Sequence, residues 1–182
     1  MRLSTLGFAL NLSKCRFGER SVRYLGFKLS GEGLSPLPER VEALQSAPAP
    51  SNVSELRSFL GHLAFYDRFC GDRASVAAPL YALLQKDQPW VWGRDQAMAF
   101  QATKDLLCSD AVLVHYSLSL PVAVASDSSE RGCGAVLLHL MPDGSFRPVY
   151  YASKAFTEGQ RRWSTFEREF AGAVFAVTRF HE

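Results

Sequence analysis

Apolar positions along the chain change their period twice, and each change marks a new kind of element. From Ser21 to Ser30 alternating and continuous apolar positions mix with β-branched and aromatic residues, the pattern of a strand. Gly31-Glu32-Gly33 is a turn signal, and a short apolar return from Leu34 to Leu37 completes an expected β-hairpin. Pro38, with Glu39 and Glu42 behind it, starts a helix over about 38–46 that Pro48 and Pro50 must end.

The second stretch, about 51–110, has helical spacing. Asn52-Val-Ser-Glu55 resembles a capping box, and Leu56, Phe59, Leu60, Leu63 and Tyr66 follow on one face. A helix over 74–84 contains Pro79, which should kink or divide it, and another spans about 94–107. The aromatics here, including Trp90 and Trp92, read as core. After about residue 118 the period returns to two. Strands over 122–126, 132–140 and 147–152, the last two joined at Pro142-Asp143-Gly144, lead into a helix over about 161–180. Trp163, Phe166, Phe170, Val174 and Val177 form its apolar stripe, the face expected to pack on the sheet. The fold class is therefore α+β: hairpin, helical middle, then βββα.

The 182 residues, 47% hydrophobic and 21% charged, exclude wholesale disorder and low-complexity chains. No apolar run approaches the roughly 20 residues of a membrane helix, and the first residues show no apolar h-region followed by a small-residue cleavage site, so secretion is not expected. Cys15, Cys70, Cys108 and Cys133 are scattered, without metal-ligand spacing, which fits reduced thiols in a cytoplasmic or nuclear setting. Net charge is only +2 and evenly spread, so nucleic-acid binding would have to come from local grooves. His115, His139 and His181 have no partners at ligand spacing and read as structural.

One carboxylate stands out. Asp127 follows an apolar strand and precedes the small-residue turn Ser128-Ser129, where it is either a turn residue or a cation ligand facing a cleft. A second carboxylate should come from the following helix. Glu167 and Glu169 lie on opposite flanks of the apolar stripe, and periodicity does not choose between them.

Nearly the whole chain resembles the polyprotein reverse transcriptase of gypsy-type LTR retroelements. The resemblance is carried by Leu10-Asn-Leu-Ser-Lys-Cys-Arg-Phe17, by Tyr24-Leu-Gly-Phe27, and by Ser54-Glu-Leu-Arg-Ser-Phe-Leu-Gly61 with Tyr66-Asp-Arg-Phe69. It continues through Ala77-Ala-Pro-Leu80, Ser126-Asp-Ser-Ser129, Tyr151-Ala-Ser-Lys154 and Trp163-Ser-Thr-Phe-Glu-Arg-Glu-Phe170, in the family's order. It implies the end of a polymerase palm with a primer-grip hairpin in 1–50, a helical thumb and connection in 51–118, and the N-terminal part of a ribonuclease H domain in 119–182. Asp127 and Glu169 would then be the first two metal-binding carboxylates, for Mg²⁺ with Mn²⁺ as an alternative. Tyr24, Leu25 and Gly26 would hold a primer terminus, while Arg57 and Arg68, on the thumb helix, would lie along the backbone of an RNA–DNA hybrid. The other implied partner is the remainder of the polyprotein, with no membrane.

The resemblance also implies carboxylates that the chain lacks: the polymerase Asp pair and two further ribonuclease H aspartates. No Asp-Asp dipeptide occurs. The expectation is a chain without autonomous DNA synthesis and with little or no cleavage of the RNA strand, and with a tendency to self-associate through exposed apolar surface. The alternatives are a non-catalytic nucleic-acid-binding module and a host-retained protein-interaction module.

Overall fold

The computed structural model describes residues 5–9, 11–107 and 112–181. The N-terminal residues 1–4, Leu10 at the head of the first family-like segment, and Cys108 lie outside them. Two antiparallel three-stranded sheets, in the orders β1-β2-β3 and β4-β5-β6, flank a helical middle.

The first sheet comprises β1 (Ser21–Tyr24), β2 (Phe27–Ser30) and β3 (Leu34–Pro36). The stretch 21–30 is thus two strands, folded back at Leu25-Gly26 with Tyr24 paired to Phe27. Both turn residues have positive φ, 47° and 83°, the requirement of the primed turns that match strand twist. Gly26 adopts this freely; Leu25 adopts it at a steric cost, with its side chain 70% exposed.

Phe27 anchors the hairpin to the helices. It stacks on Phe65 at 4.5 Å, meets Tyr66 edge-on at 6.1 Å and lies 5.8 Å from Phe69. Aromatic pairs of this kind add about 0.5–1.5 kcal/mol each beyond area burial. Phe27 thereby joins a core of Leu56, Phe59, Leu60, Leu63, Leu80, Phe100 and Leu113.

The helices begin where local chemistry puts them. α1 (Pro38–Gln45) has proline in its first turn. α2 (Val53–Ala64) is capped by Asn52, whose Oδ1 accepts from the Glu55 N–H at 3.0 Å, while the Glu55 carboxylate accepts from the Ser51 N–H at 2.8 Å. The helix expected over 74–84 is divided before Pro79 into α3 (Arg73–Val76) and α4 (Ala78–Ala82). α5 (Arg94–Leu106) returns Lys104 to the Ala47 carbonyl at 2.7 Å, with its ammonium over the Phe100 ring.

The second sheet is the middle of three layers. β4 (Val122–Ser128), β5 (Gly132–Leu140) and β6 (Phe146–Ala155) pair in simple succession. Pro148 sits at a register shift on the outer strand β6, where a missing N–H does no harm. On one face the segment around Gly71 approaches so closely that a Cβ on Gly134 would lie 2.5 Å from the Gly71 carbonyl. On the other face lies α7 (Thr165–Phe180), which is separated from α6 (Glu158–Arg161) by a break at Ser164 that divides the single helix expected over 161–180.

The face of α7 differs from expectation. Gly172 and Ala176 are its buried residues, whereas Phe166, Phe170 and Val177 are 80%, 64% and 64% exposed. At 100° per residue the apolar stripe points roughly 150° away from the line that docks on the sheet. Small residues decide the docking: a Cβ on Gly172 would run into the Ser128 hydroxyl, and bulkier side chains could not occupy that line. His139 is fully buried at the opposite end of the sheet, accepting at Nε2 from the Ser117 N–H (3.0 Å) and facing the Pro121 carbonyl with Nδ1 (3.2 Å). It is structural, as expected.

The strained turn yields a first test. Leu25→Asn should raise stability by about 1 kcal/mol, since Asn tolerates the left-handed region and little apolar burial is lost. Urea midpoints of the two proteins measure it.

Candidate functional site

The C-terminal end of β4 and the first turns of α7 form one corner. Ser128 Oγ donates to the Arg168 carbonyl at 2.9 Å, and Gly172 lies over the same serine. Asp127 and Glu169 are the chain neighbours of those two hydrogen-bonded residues, so the corner joins the backbone that bears one carboxylate to the backbone that bears the other. Asp127 lies within β4, paired with Gly134, and not after the strand. Strand alternation turns it away from the Ser128 face, into a groove of about 330 Å³ with Gly71, Asp72, Ser129 and Tyr151. β4 is an outer strand. The way from Asp127 to α7 therefore runs around an open edge, with no backbone between.

The two glutamates of α7 differ in both direction and occupation. Glu167 closes a capping box: its Oε2 accepts from the Ser164 N–H and from Ser164 Oγ, each at 2.8 Å. Those bonds hold its carboxyl below the ordinary range. It also lines a groove with Lys154 and Gln160, on the β6 side of the helix. Relative to the buried line through Arg168, Gly172 and Ala176, Glu169 sits about 60° away on the opposite flank, toward β4. The pattern Ser164-Thr-Phe-Glu167 is visible in the sequence, and as a cap signal it separates the two candidates that periodicity leaves equal.

Among the described residues no three His, Cys, Asp or Glu side chains gather closely enough to hold a metal ion. Two carboxylates supply hard oxygen donors suited to a hydrated Mg²⁺, which keeps several of its waters. The buried thiols offer no alternative chemistry: desolvation pushes Cys70 up to about 11 and Cys133 upward also.

The hairpin tip and α2 hold the remaining sequence candidates. Tyr24 and Leu25 are exposed at the tip, and Gly26 packs so near Phe65 that a Cβ would lie 3.0 Å from its ring. Between the tip, α1 and α2 runs an open groove of about 1220 Å³, reached by Arg40 and His62. Arg57 is exposed on α2. Arg68 is placed differently from expectation. It lies in the 3₁₀ turn Asp67–Phe69, beyond the end of α2, with its guanidinium over the rings of Phe27 (5.4 Å) and Tyr150 (5.5 Å).

Residues 92–182, half of the chain, match the model of the RNase H-like domain found in reverse transcriptase. The chain belongs to that family. The RNase H-like chain is 30% identical over 173 residues to the Tf2-3 and Tf2-4 transposon polyproteins of Schizosaccharomyces pombe, covering 95% of itself and 13% of each of them. It thus spans about an eighth of the length of these relatives. Its fold is similar to that of part of foamy viral protease-reverse transcriptase. The TM-score is 0.74 for the form in complex with double-stranded DNA and 0.75 for the form in complex with an RNA/DNA hybrid, both at 21% identity. These similarities cover 87% and 92% of the RNase H-like chain, and 28% and 23% of the foamy viral chains.

Both caps predict an acid limb of stability. Glu55 and Glu167 are held below their ordinary carboxylate value by hydrogen bonds from Ser51 and Ser164. A depressed carboxylate stabilises the fold above its unfolded value and loses that contribution as pH falls through the folded one. Melting temperature should therefore drop as pH falls from about 5. The Glu167→Gln variant should melt lower at neutral pH and lose less on acidification.

Proposed function

We propose that the RNase H-like part of this chain is the cation-dependent nuclease centre of a retroelement reverse transcriptase, acting on the RNA strand of an RNA–DNA hybrid. Asp127 and Glu169 are its first two carboxylates. The observation that supports this reading is the Ser128–Arg168 hydrogen bond, which ties the end of the strand that bears Asp127 to the helix turn that bears Glu169. The foamy viral fold neighbours, in complex with double-stranded DNA and with an RNA/DNA hybrid, support a duplex as partner.

When bound, Mg²⁺ or Mn²⁺ would polarise the scissile phosphodiester and lower the pKa of an attacking water. Asp127 and Glu169 would hold it, while Glu167, engaged by Ser164, stays out of the site and keeps the helix start in place. Two carboxylates suit one hydrated cation better than the pair that fast phosphodiester hydrolysis uses. The 182 residues are accordingly expected to cleave weakly.

Residues 1–50 would act as the end of a palm with its grip hairpin, 51–118 as thumb and connection, and 119–182 as the ribonuclease H part. Tyr24, Leu25 and Gly26 would meet the strand terminus at the hairpin tip, with Arg57 neutralising a phosphate. A second reading, a nucleic-acid-binding module without catalysis, is favoured by the lack of any three-ligand cluster among the described residues.

Three measurements test these readings. Paramagnetic Mn²⁺ should broaden the amide resonances around Asp127 and Glu169 together, and Asp127→Asn should abolish the effect. Broadening elsewhere only would sink the site assignment. With a labelled hybrid and either cation, turnover should be low; vigorous cleavage lost in Asp127→Asn would confirm the site and overturn the expected weakness. Arg57→Ala should flatten the dependence of log affinity on log salt by about 0.9, the share of one phosphate.

A further inference from the structure

Arg68 has no hydrogen bond or ion pair to a protein group among the described residues, although it is half-buried. Its neighbour Asp67 is committed to Arg73, which also donates to Tyr81 Oη. What holds Arg68 is aromatic: its guanidinium carbon lies 5.4 Å from the ring centroid of Phe27 in the first sheet and 5.5 Å from that of Tyr150 in the second. Tyr150 in turn carries Arg179 of α7 at 5.6 Å, whose guanidinium also donates to the Tyr150 hydroxyl at 3.4 Å, and meets Phe180 edge-on at 6.2 Å. Phe27, Arg68, Tyr150 and Arg179 therefore form a column in which ring and cation alternate. It runs from the hairpin that bears the Tyr24-Leu25-Gly26 tip to the last turn of the helix that bears Glu169.

We propose that Arg68 is a positioning residue: through this column it ties the hairpin to the C-terminal helix and keeps their separation constant. A planar, weakly hydrated guanidinium can face two rings at once, which a lysine ammonium does poorly. Two cations share Tyr150 with no carboxylate among the described residues paired to either, so their mutual repulsion is opposed by the ring quadrupole and, for Arg179, by its bond to the Tyr150 hydroxyl. Consecutive links lie on different elements, so losing the middle member should loosen both ends. The consequence for nucleic acid, a set spacing between the grip hairpin and the carboxylate corner, rests on the nuclease reading above. The column itself does not, and its test uses no nucleic acid.

Amide hydrogen exchange on the full chain provides that test. Arg68→Met keeps the stem but removes the cation. It should speed exchange roughly two- to five-fold both in β1–β2 and in the last turn of α7, segments about 150 residues apart in sequence. Tyr150→Leu should do the same at both ends. Tyr150→Phe, which keeps the ring, should leave the hairpin at its original rate. Should Arg68→Met fail to fold, the Tyr150 pair decides the matter by the same two readouts. Acceleration confined to residues 67–73, or equal effects of Tyr150→Leu and Tyr150→Phe, would overturn the proposal. A salt slope for hybrid binding reduced by about 0.9 in Arg68→Met, with exchange unchanged, would overturn it in favour of a phosphate contact.

Discussion

The close approach of α7 to β4 is the constraint on which the rest of the candidate site depends. A helix can lie this near a strand only where both surfaces are small. Gly172 and Ser128 meet with no room for a methyl group, and the serine hydroxyl spends itself on the Arg168 carbonyl. The same economy of size recurs below the sheet, where Gly134 admits the Gly71 carbonyl. The second sheet, β4-β5-β6, is thus gripped from both faces by backbone more than by large side chains, and apart from His139 at its far end its buried residues are small, Cys133, Ala135 and Ala152 among them. Layers this thin bring the backbone around Asp127 close to the helix turn that bears Glu169.

Charge is handled in a contrasting way in the helical middle. Lys104 reaches a lone carbonyl before Pro48, Arg73 is shared by Asp67 and Tyr81, and Arg68 is left to aromatic rings. These are buried or half-buried cations, each with its own form of compensation, and they lie where the hairpin, the helices and the second sheet converge. The near-neutral net charge conceals this arrangement.

What was legible in the sequence follows from the range of the forces involved. Helix starts at Pro38 and Asn52, the division at Pro79 and the three strands of the second sheet depend on neighbours a few residues away, and they emerge where local rules put them. The return at Leu25-Gly26 was hidden because a leucine in the left-handed region runs against its own preference. The orientation of α7 was misjudged for a different reason: an apolar stripe announces a face to be covered, but it is the small residues Gly172 and Ala176 that determine which face fits the sheet. Arg68 could not be placed from local pattern at all, because its two rings lie 41 residues before it and 82 after it in the chain. The Asp127 and Glu169 pairing was supplied by family likeness; the geometry adds that a cap has already engaged Glu167.

A helix seated on glycine and alanine gains little apolar burial from its seat. Its attachment to the sheet is consequently the weak seam of the C-terminal half, and partial opening there would be expected before the core around Leu56 and Leu63 loosens. Any chemistry requiring both acids would then switch off while most of the molecule stayed folded. Competence at that corner becomes a matter of how often the last helix is home.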